Sequence, residues 1–162
     1  MTLTTHAIVG AAIASIIPEH QVLVFGLAFA SHFAVDAIPH WDYYVRSGSI
    51  NPKIGTAMSY DKNLFLDLLS IGFDALLGVV LSLLIFASPA TAGVVVLGAI
   101  AGMLPDPLQF VYTRWRREPL VSLQRFHQWI HTDLRLIDRP VLGISSQLLF
   151  IVAIVLVTRL LK

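Results

Sequence analysis

The sequence predicts an all-α integral membrane protein: a helical bundle of about five spanning helices plus one amphipathic helix at the interface. Three observations predict it. Of 162 residues, 56% are hydrophobic and only 13% charged, with a mean hydropathy of +0.76, whereas soluble domains carry about 25% charged residues. The apolar residues come in runs that stop at Pro18, Pro39, Pro89 and Pro105, and proline breaks a regular helix. The basic residues also collect on one side of the alternating segments. Residues 1–162 are read as one membrane-embedded domain, with little room for a separate soluble one.

The first segment, residues 3–17, is rich in Ala and Ile, and Gly10 permits close helix contact. Pro18-Glu19-His20 turns it into an antiparallel second segment, residues 21–38. Both are brief beside the roughly 20 apolar residues of a full crossing, which fits a locally thinned bilayer or an incomplete span. Residues 39–60 hold Trp41, Tyr43, Tyr44 and Arg46, a mixture suited to the headgroup layer. The third segment, 61–87, is the longest and closes at Ser88-Pro89. The fourth, 90–104, meets Pro105-Asp106-Pro107, read as a break. Within the polar stretch 108–139, residues 120–134 show helical periodicity. Leu123, Phe126, Ile130 and Leu134 share one stripe, and Gln124, His127 and His131 the next. That pattern predicts a helix lying in the interface. Residues 141–161 form a plain final span without an acidic residue or a histidine.

Composition also excludes. A net charge of +1 gives no reason to propose nucleic acid as a partner. Cysteine is absent, so disulfides and thiolate sites are ruled out, and a metal site must be built from His, Asp, Glu and water. The first apolar segment lacks a basic leader and carries His6, which argues against a cleaved signal peptide. Lys and Arg from Arg46 to Arg139, including Lys53 and Arg135, fall on the side of the N-terminus, and only Arg159 and Lys162 on the other. The positive-inside rule then puts the N-terminus inside and the C-terminus outside a bacterial inner membrane or its equivalent.

Chemistry concentrates in Ser31-His32-Phe33-Ala34-Val35-Asp36-Ala37-Ile38-Pro39-His40-Trp41-Asp42. His32 and Asp36 are spaced i, i+4 and share one helix face, with His40 and Asp42 in the exit loop. Such groups at the end of an apolar helix are costly to bury without a partner. The hairpins bring others to their level. His6 lies twelve residues before Pro18 and His32 fourteen after it. At about 1.5 Å per residue both stand about 18–21 Å from the turn. Asp74 and Asp106 flank Pro89 at similarly matched separations. His127 and His131, a second i, i+4 pair, would lie over this layer, and only His20 falls on the far side. The expected metal ligands are therefore His6, His32, Asp36, His40, Asp74, Asp106, His127 and His131.

Each residue also has a plain role open to it. His6 suits a helix start, Asp106 a helix end, His40 and Asp42 headgroup contacts, and His127 and His131 a solvated face. Asp74, in the apolar run Phe73-Asp74-Ala75, needs a cation or a proton. Asp67 lies seven residues earlier on the same face, as a supporting partner or an interfacial charge.

A His/Asp set suits Zn²⁺ first, with Mn²⁺ or Fe²⁺ also compatible, and the number of groups points to more than one ion. Clustered ions typically activate a water against a phosphate ester, and Arg114, Arg116, Arg117 and Arg125 suit phosphate. At headgroup depth the expected partner is a membrane lipid or lipid-linked phosphate. Asp42 and Asp74 are the expected catalytic carboxylates, Asp42 as general base. The rival readings are a di-iron membrane lipid oxidase or hydroxylase and a divalent metal-ion carrier. A zinc protease is disfavoured because no H-E-x-x-H is present.

Thr5-His6 opening a small-residue helix, the Leu104-Pro105-Asp106 junction and a late paired-histidine segment ending in His131-Thr132 resemble the inner-membrane-associated metal-dependent hydrolases. More remotely the pattern is similar to the zinc-dependent phospholipase C and P1-nuclease superfamily. The resemblance covers about the first 135 residues. It implies metal-dependent hydrolysis and implicates His6, Asp106, His127 and His131. Two departures stand out. Pro107-Leu108-Gln109 follows Asp106 where those hydrolases usually continue with Asp and His, and His127 and His131 are four apart where relatives tend to five.

Overall fold

The computed structural model describes residues 1–49, 57–134 and 136–162; Lys53 and Arg135 lie outside them. Among the described residues the chain forms seven α-helices. They are α1 (Leu3–Ile16), α2 (Gln21–Asp36), α3 (Lys62–Phe86), α4 (Ala92–Met103), α5 (Pro105–Arg114), α6 (Leu120–Ile130) and α7 (Pro140–Leu160). A two-residue antiparallel pairing joins β1 (Gly48–Ser49) to β2 (Ala57–Met58) in the loop before α3.

The all-α class holds, but about five spanning helices does not. Among the described residues two helices, α3 and α7, are long and apolar enough to cross a membrane, or three if α4 and α5, bent by 47° at their junction, count as one span. The reason is length. At about 1.5 Å per residue, α1 with 14 residues and α2 with 16 fall short of a hydrocarbon core of about 30 Å. Burial separates the classes too. Nearly every α1 side chain is buried, whereas α3 exposes Phe65, Leu68, Phe73, Leu76 and Leu84 and α7 exposes Leu149, Val152 and Leu156. An apolar exterior of this kind is what lipid selects.

Helix α1 is the axis of the molecule, packed by α2, α3, α4 and α7. Its Leu3, Ala7, Ile8, Ala11 and Ala12 meet Val95, Ala99 and Met103 of α4 and Phe86 of α3. Gly98 sits so close to Gly10 that a side chain on either would collide with the other's carbonyl. A Cβ at Gly102 would lie 2.5 Å from the His6 carbonyl oxygen. Small residues thus set the α1–α4 separation.

Three local features differ from expectation. Helix α2 ends at Asp36, two residues early, because Pro39 draws the preceding chain out of helical conformation. Pro105-Asp106-Pro107 starts a helix, α5, with proline in the first turn, where its missing N–H costs nothing. Helix α6 stops at Ile130, not 134, and His131 is extended (φ −64°, ψ 133°). There the Thr132 amide donates instead to the Asp36 carbonyl at 3.0 Å, and the Leu136 amide to the His40 carbonyl at 2.9 Å. The α6 faces are also reversed relative to a soluble helix: Gln124 and His127 are buried, while Phe126 and Trp129 are exposed. Asp67, buried in α3, accepts from the Ser47 amide at 2.8 Å and ties down the preceding loop.

Candidate metal centre

The site is assembled around one carboxylate. Asp36 ends α2, 1% exposed, and its two oxygens divide the surrounding imidazoles between them. Oδ1 lies 3.1 Å from His6 Nε2 and 3.9 Å from His40 Nε2. Oδ2 lies 3.0 Å from His127 Nε2, 3.2 Å from His32 Nε2 and 3.9 Å from His131 Nε2. Asp106, at the start of α5, adds an oxygen 3.5 Å from His32 Nε2. The Met1 amino nitrogen is 2.7 Å from Asp36 Oδ1 and 2.9 Å from His40 Nε2.

The orientation of the rings is fixed from behind. His32 Nδ1 donates to the Gly102 carbonyl at 2.9 Å, His40 Nδ1 to the Ile38 carbonyl at 2.6 Å and His131 Nδ1 to the Thr132 carbonyl at 3.0 Å. A carbonyl oxygen can only accept, so Nδ1 carries a hydrogen in all three rings, and Nε2 is the ring nitrogen turned to the centre. This is the arrangement that orients ligating histidines. His6 stacks on His32 with ring centroids 3.9 Å apart, so the first hairpin does bring these two to one level. Burial holds the His40 imidazole below its ordinary value of 6.5, which favours the neutral ring.

The close approach of these donors needs a proton or a cation between them. Among the described residues, His6 Nδ1, His6 Nε2 and His32 Nε2 are buried without a hydrogen-bond partner, although His6 Nε2 and His32 Nε2 face Asp36 oxygens at 3.1 and 3.2 Å. A lone pair pressed against a carboxylate in a dry site is unfavourable unless a proton or cation lies between them. Donors about 2.1 Å from a shared tetrahedral ion stand ~3.4 Å apart, close to the separations seen. Ligand atoms of His32, Asp36, Asp106 and His127 lie within 4.8 Å of one another, as do those of Asp36, His40 and His131. These two groups could each hold a metal ion, and Asp36 belongs to both. No family model, curated protein or solved structure matches the chain. The chemistry of the centre is therefore read from its own atoms.

The site opens along one edge. Side chains of Asp106, Asp42 and His131 are 29%, 25% and 14% exposed, against 0% for His32 and 1% for Asp36. Asp42 stands at that edge with Oδ2 3.9 Å from His131 Nε2, its other oxygen accepting from the Tyr43 amide. It belongs to neither ligand group. Arg114 and Arg116 lie over the rings of Tyr60 and Tyr112.

Of the expected ligands, His6 and Asp74 fall outside both ligand groups; His6 still abuts Asp36, whereas Asp74 is held elsewhere by hydrogen bonds. Its oxygens accept from the Thr4 amide at 3.0 Å, from the Thr4 hydroxyl at 2.7 Å and from the Tyr43 hydroxyl. Burial, then the Asp74 carboxylate, push the Tyr43 phenol well above its ordinary range and keep it a donor. Asp74 belongs to neither ligand group. Sequence reasoning passed over Gly102, whose carbonyl orients His32, and Tyr43 and Gln147, which reach the start of α1. Only Tyr43 carried a signal, its position next to Asp42.

Proposed function

We propose that this chain is a membrane-embedded, metal-dependent hydrolase that cleaves a phosphate ester of a lipid or lipid-linked substrate. The observation that carries the proposal is the convergence of five imidazole Nε2 atoms on the two oxygens of Asp36. His32, Asp36, Asp106 and His127 hold one divalent ion, and Asp36, His40 and His131 a second. Zn²⁺ suits these nitrogen and oxygen donors, with Mn²⁺ or Fe²⁺ compatible. Bound ions of this kind polarise a phosphoryl oxygen and supply a nucleophilic water near neutral pH. His6 lies against Asp36 and closes the buried side of the centre. Asp42, at the open edge and outside both ligand groups, is the group placed to take a proton. The apolar exteriors of α3 and α7 support a substrate that shares the bilayer. The distribution of Lys and Arg favours a cytoplasm-facing site.

The test is turnover. Full-length protein in detergent, loaded with Zn²⁺, is mixed with micelles containing phosphatidate or a glycerophospholipid, and released phosphate or headgroup is measured. Hydrolysis should disappear on chelation, return with Zn²⁺, and fall at least about 100-fold in His127→Ala. A metal-loaded wild type no faster than His127→Ala on phosphate esters would rule out the phosphoesterase.

A further inference from the structure

The first turn of a helix leaves its amides without intrahelical acceptors. At the start of α1, three consecutive amides find acceptors on three separate parts of the chain. Thr2 N–H donates to Gln147 Oε1 of α7 at 3.1 Å. Leu3 N–H donates to the Tyr43 hydroxyl of the site loop at 3.1 Å. Thr4 N–H donates to Asp74 Oδ2 of α3 at 3.0 Å. The acceptors are themselves linked. Tyr43 O–H donates to Asp74, and Gln147 Nε2 donates to the Trp41 carbonyl at 2.9 Å. Gln147 Oε1 also takes the Thr2 and Thr5 hydroxyls at 3.0 and 3.2 Å.

Two residues beyond Thr4, on the same helix, is His6, and Trp41 and Tyr43 flank Asp42 immediately after His40. The network therefore fixes α1 and the His40–Tyr43 loop against both long apolar helices. The Asp74 carboxyl inside α3 is then satisfied by the donors of Thr4 and Tyr43 rather than by a metal.

We infer that Asp74, Tyr43 and Gln147 form a positioning clamp, registering α1 and the His40–Tyr43 loop on the two long helices so that the ligands meet at Asp36. These are positioning residues, not ligands. The inference rests on the metal-binding reading of that centre, and it separates affinity from ion count. Partners that orient ligands typically change metal affinity 10–100-fold, whereas a missing ligand removes a place for an ion.

Full-length wild type, Asp74→Ala, Asp74→Asn, Tyr43→Phe and His127→Ala are titrated with Zn²⁺ against a competing chelator in detergent. Asp74→Ala should bind Zn²⁺ at least about tenfold more weakly yet reach the wild-type ion count at saturation, and His127→Ala should saturate at a lower count. Asp74→Asn keeps one oxygen for Thr4 and should lose less affinity than Asp74→Ala. Should Asp74→Ala fail to fold, Asp74→Asn and Tyr43→Phe carry the same comparison. A reduced ion count at saturation in the Asp74 variants would make Asp74 a ligand and overturn the clamp. Unchanged affinity would overturn it too. Amide hydrogen exchange over residues 2–5 in chelator-treated protein gives a metal-independent check. The same variants should exchange faster there than wild type, and equal exchange would refute the clamp even if wild type bound no Zn²⁺ at all.

Discussion

At the scale of residues, Asp36 has an unusual neighbourhood: one nearly inaccessible carboxylate with imidazoles on both oxygens. His40 shows how burial shapes these groups. Its folded value lies below the ordinary 6.5 because burial disfavours the charged ring. The unfolded chain therefore takes up this proton first as pH falls. The His40 contribution to stability is full above about pH 6.5 and is lost as pH falls towards the lower folded value. In chelator-treated protein, the gap in thermal midpoint between wild type and His40→Gln should narrow from pH 7.5 to 5. A gap that widens would contradict burial as the dominant influence. Much at this scale was legible in the sequence. Helix spacing marks His32 with Asp36, and hairpin height puts His6 beside His32. Asp74 contacts Thr4, two residues from His6. Its partners were not legible. A carboxylate in an apolar run signals that something must satisfy it, and spacing cannot distinguish a cation from the hydroxyls of Thr4 and Tyr43.

At the scale of elements, α1 and α4 meet through glycine, and Gly102 serves twice. Its missing side chain admits the His6 backbone, and its carbonyl takes His32 Nδ1. Gly102→Ala should cost about 1–3 kcal/mol through overpacking and weaken Zn²⁺ binding by disturbing both histidines. Gly93, on the same helix, has nothing within 4 Å of its would-be side chain. Gly93→Ala should leave stability unchanged or raise it by up to about 1 kcal/mol. Thermal unfolding of the two variants checks the contrast, and equal loss in both would contradict it. Helix cores were legible from apolar runs, and several ends from prolines. Helix α5 was not, because Pro105-Asp106-Pro107 reads as a break although proline is at home in a first turn. The direction of α6 was equally obscure. Periodicity finds two faces, but which one is inside depends on whether the surroundings are water or lipid, and here the polar stripe turns inward to Asp36.

At the scale of the molecule, α3 and α7 start on the site side and run the same way. Gly143, near the start of α7, abuts Trp41, and Arg159, near its end, donates to the Ile85 carbonyl near the end of α3 at 2.8 Å. Hydropathy marked five apolar segments but could not show that α1 is enclosed by protein rather than lipid, because both surroundings select the same residues. The cysteine-free sequence makes the arrangement easy to map with single cysteines. Tyr60→Cys and Val141→Cys should react with an impermeant thiol reagent from one side of the membrane, and Ser88→Cys from the other. Labelling of Tyr60→Cys and Ser88→Cys from the same side would contradict a spanning α3. The most direct measurement is the number of metal ions per chain. Elemental mass spectrometry on detergent-purified wild type and Asp36→Asn, both supplied with Zn²⁺, should find two ions in the wild type. The variant, which lacks the carboxylate common to both candidate groups, should retain fewer than one. A folded wild type that binds no metal, or an Asp36→Asn protein that binds as much as wild type, would contradict a metal centre built on Asp36.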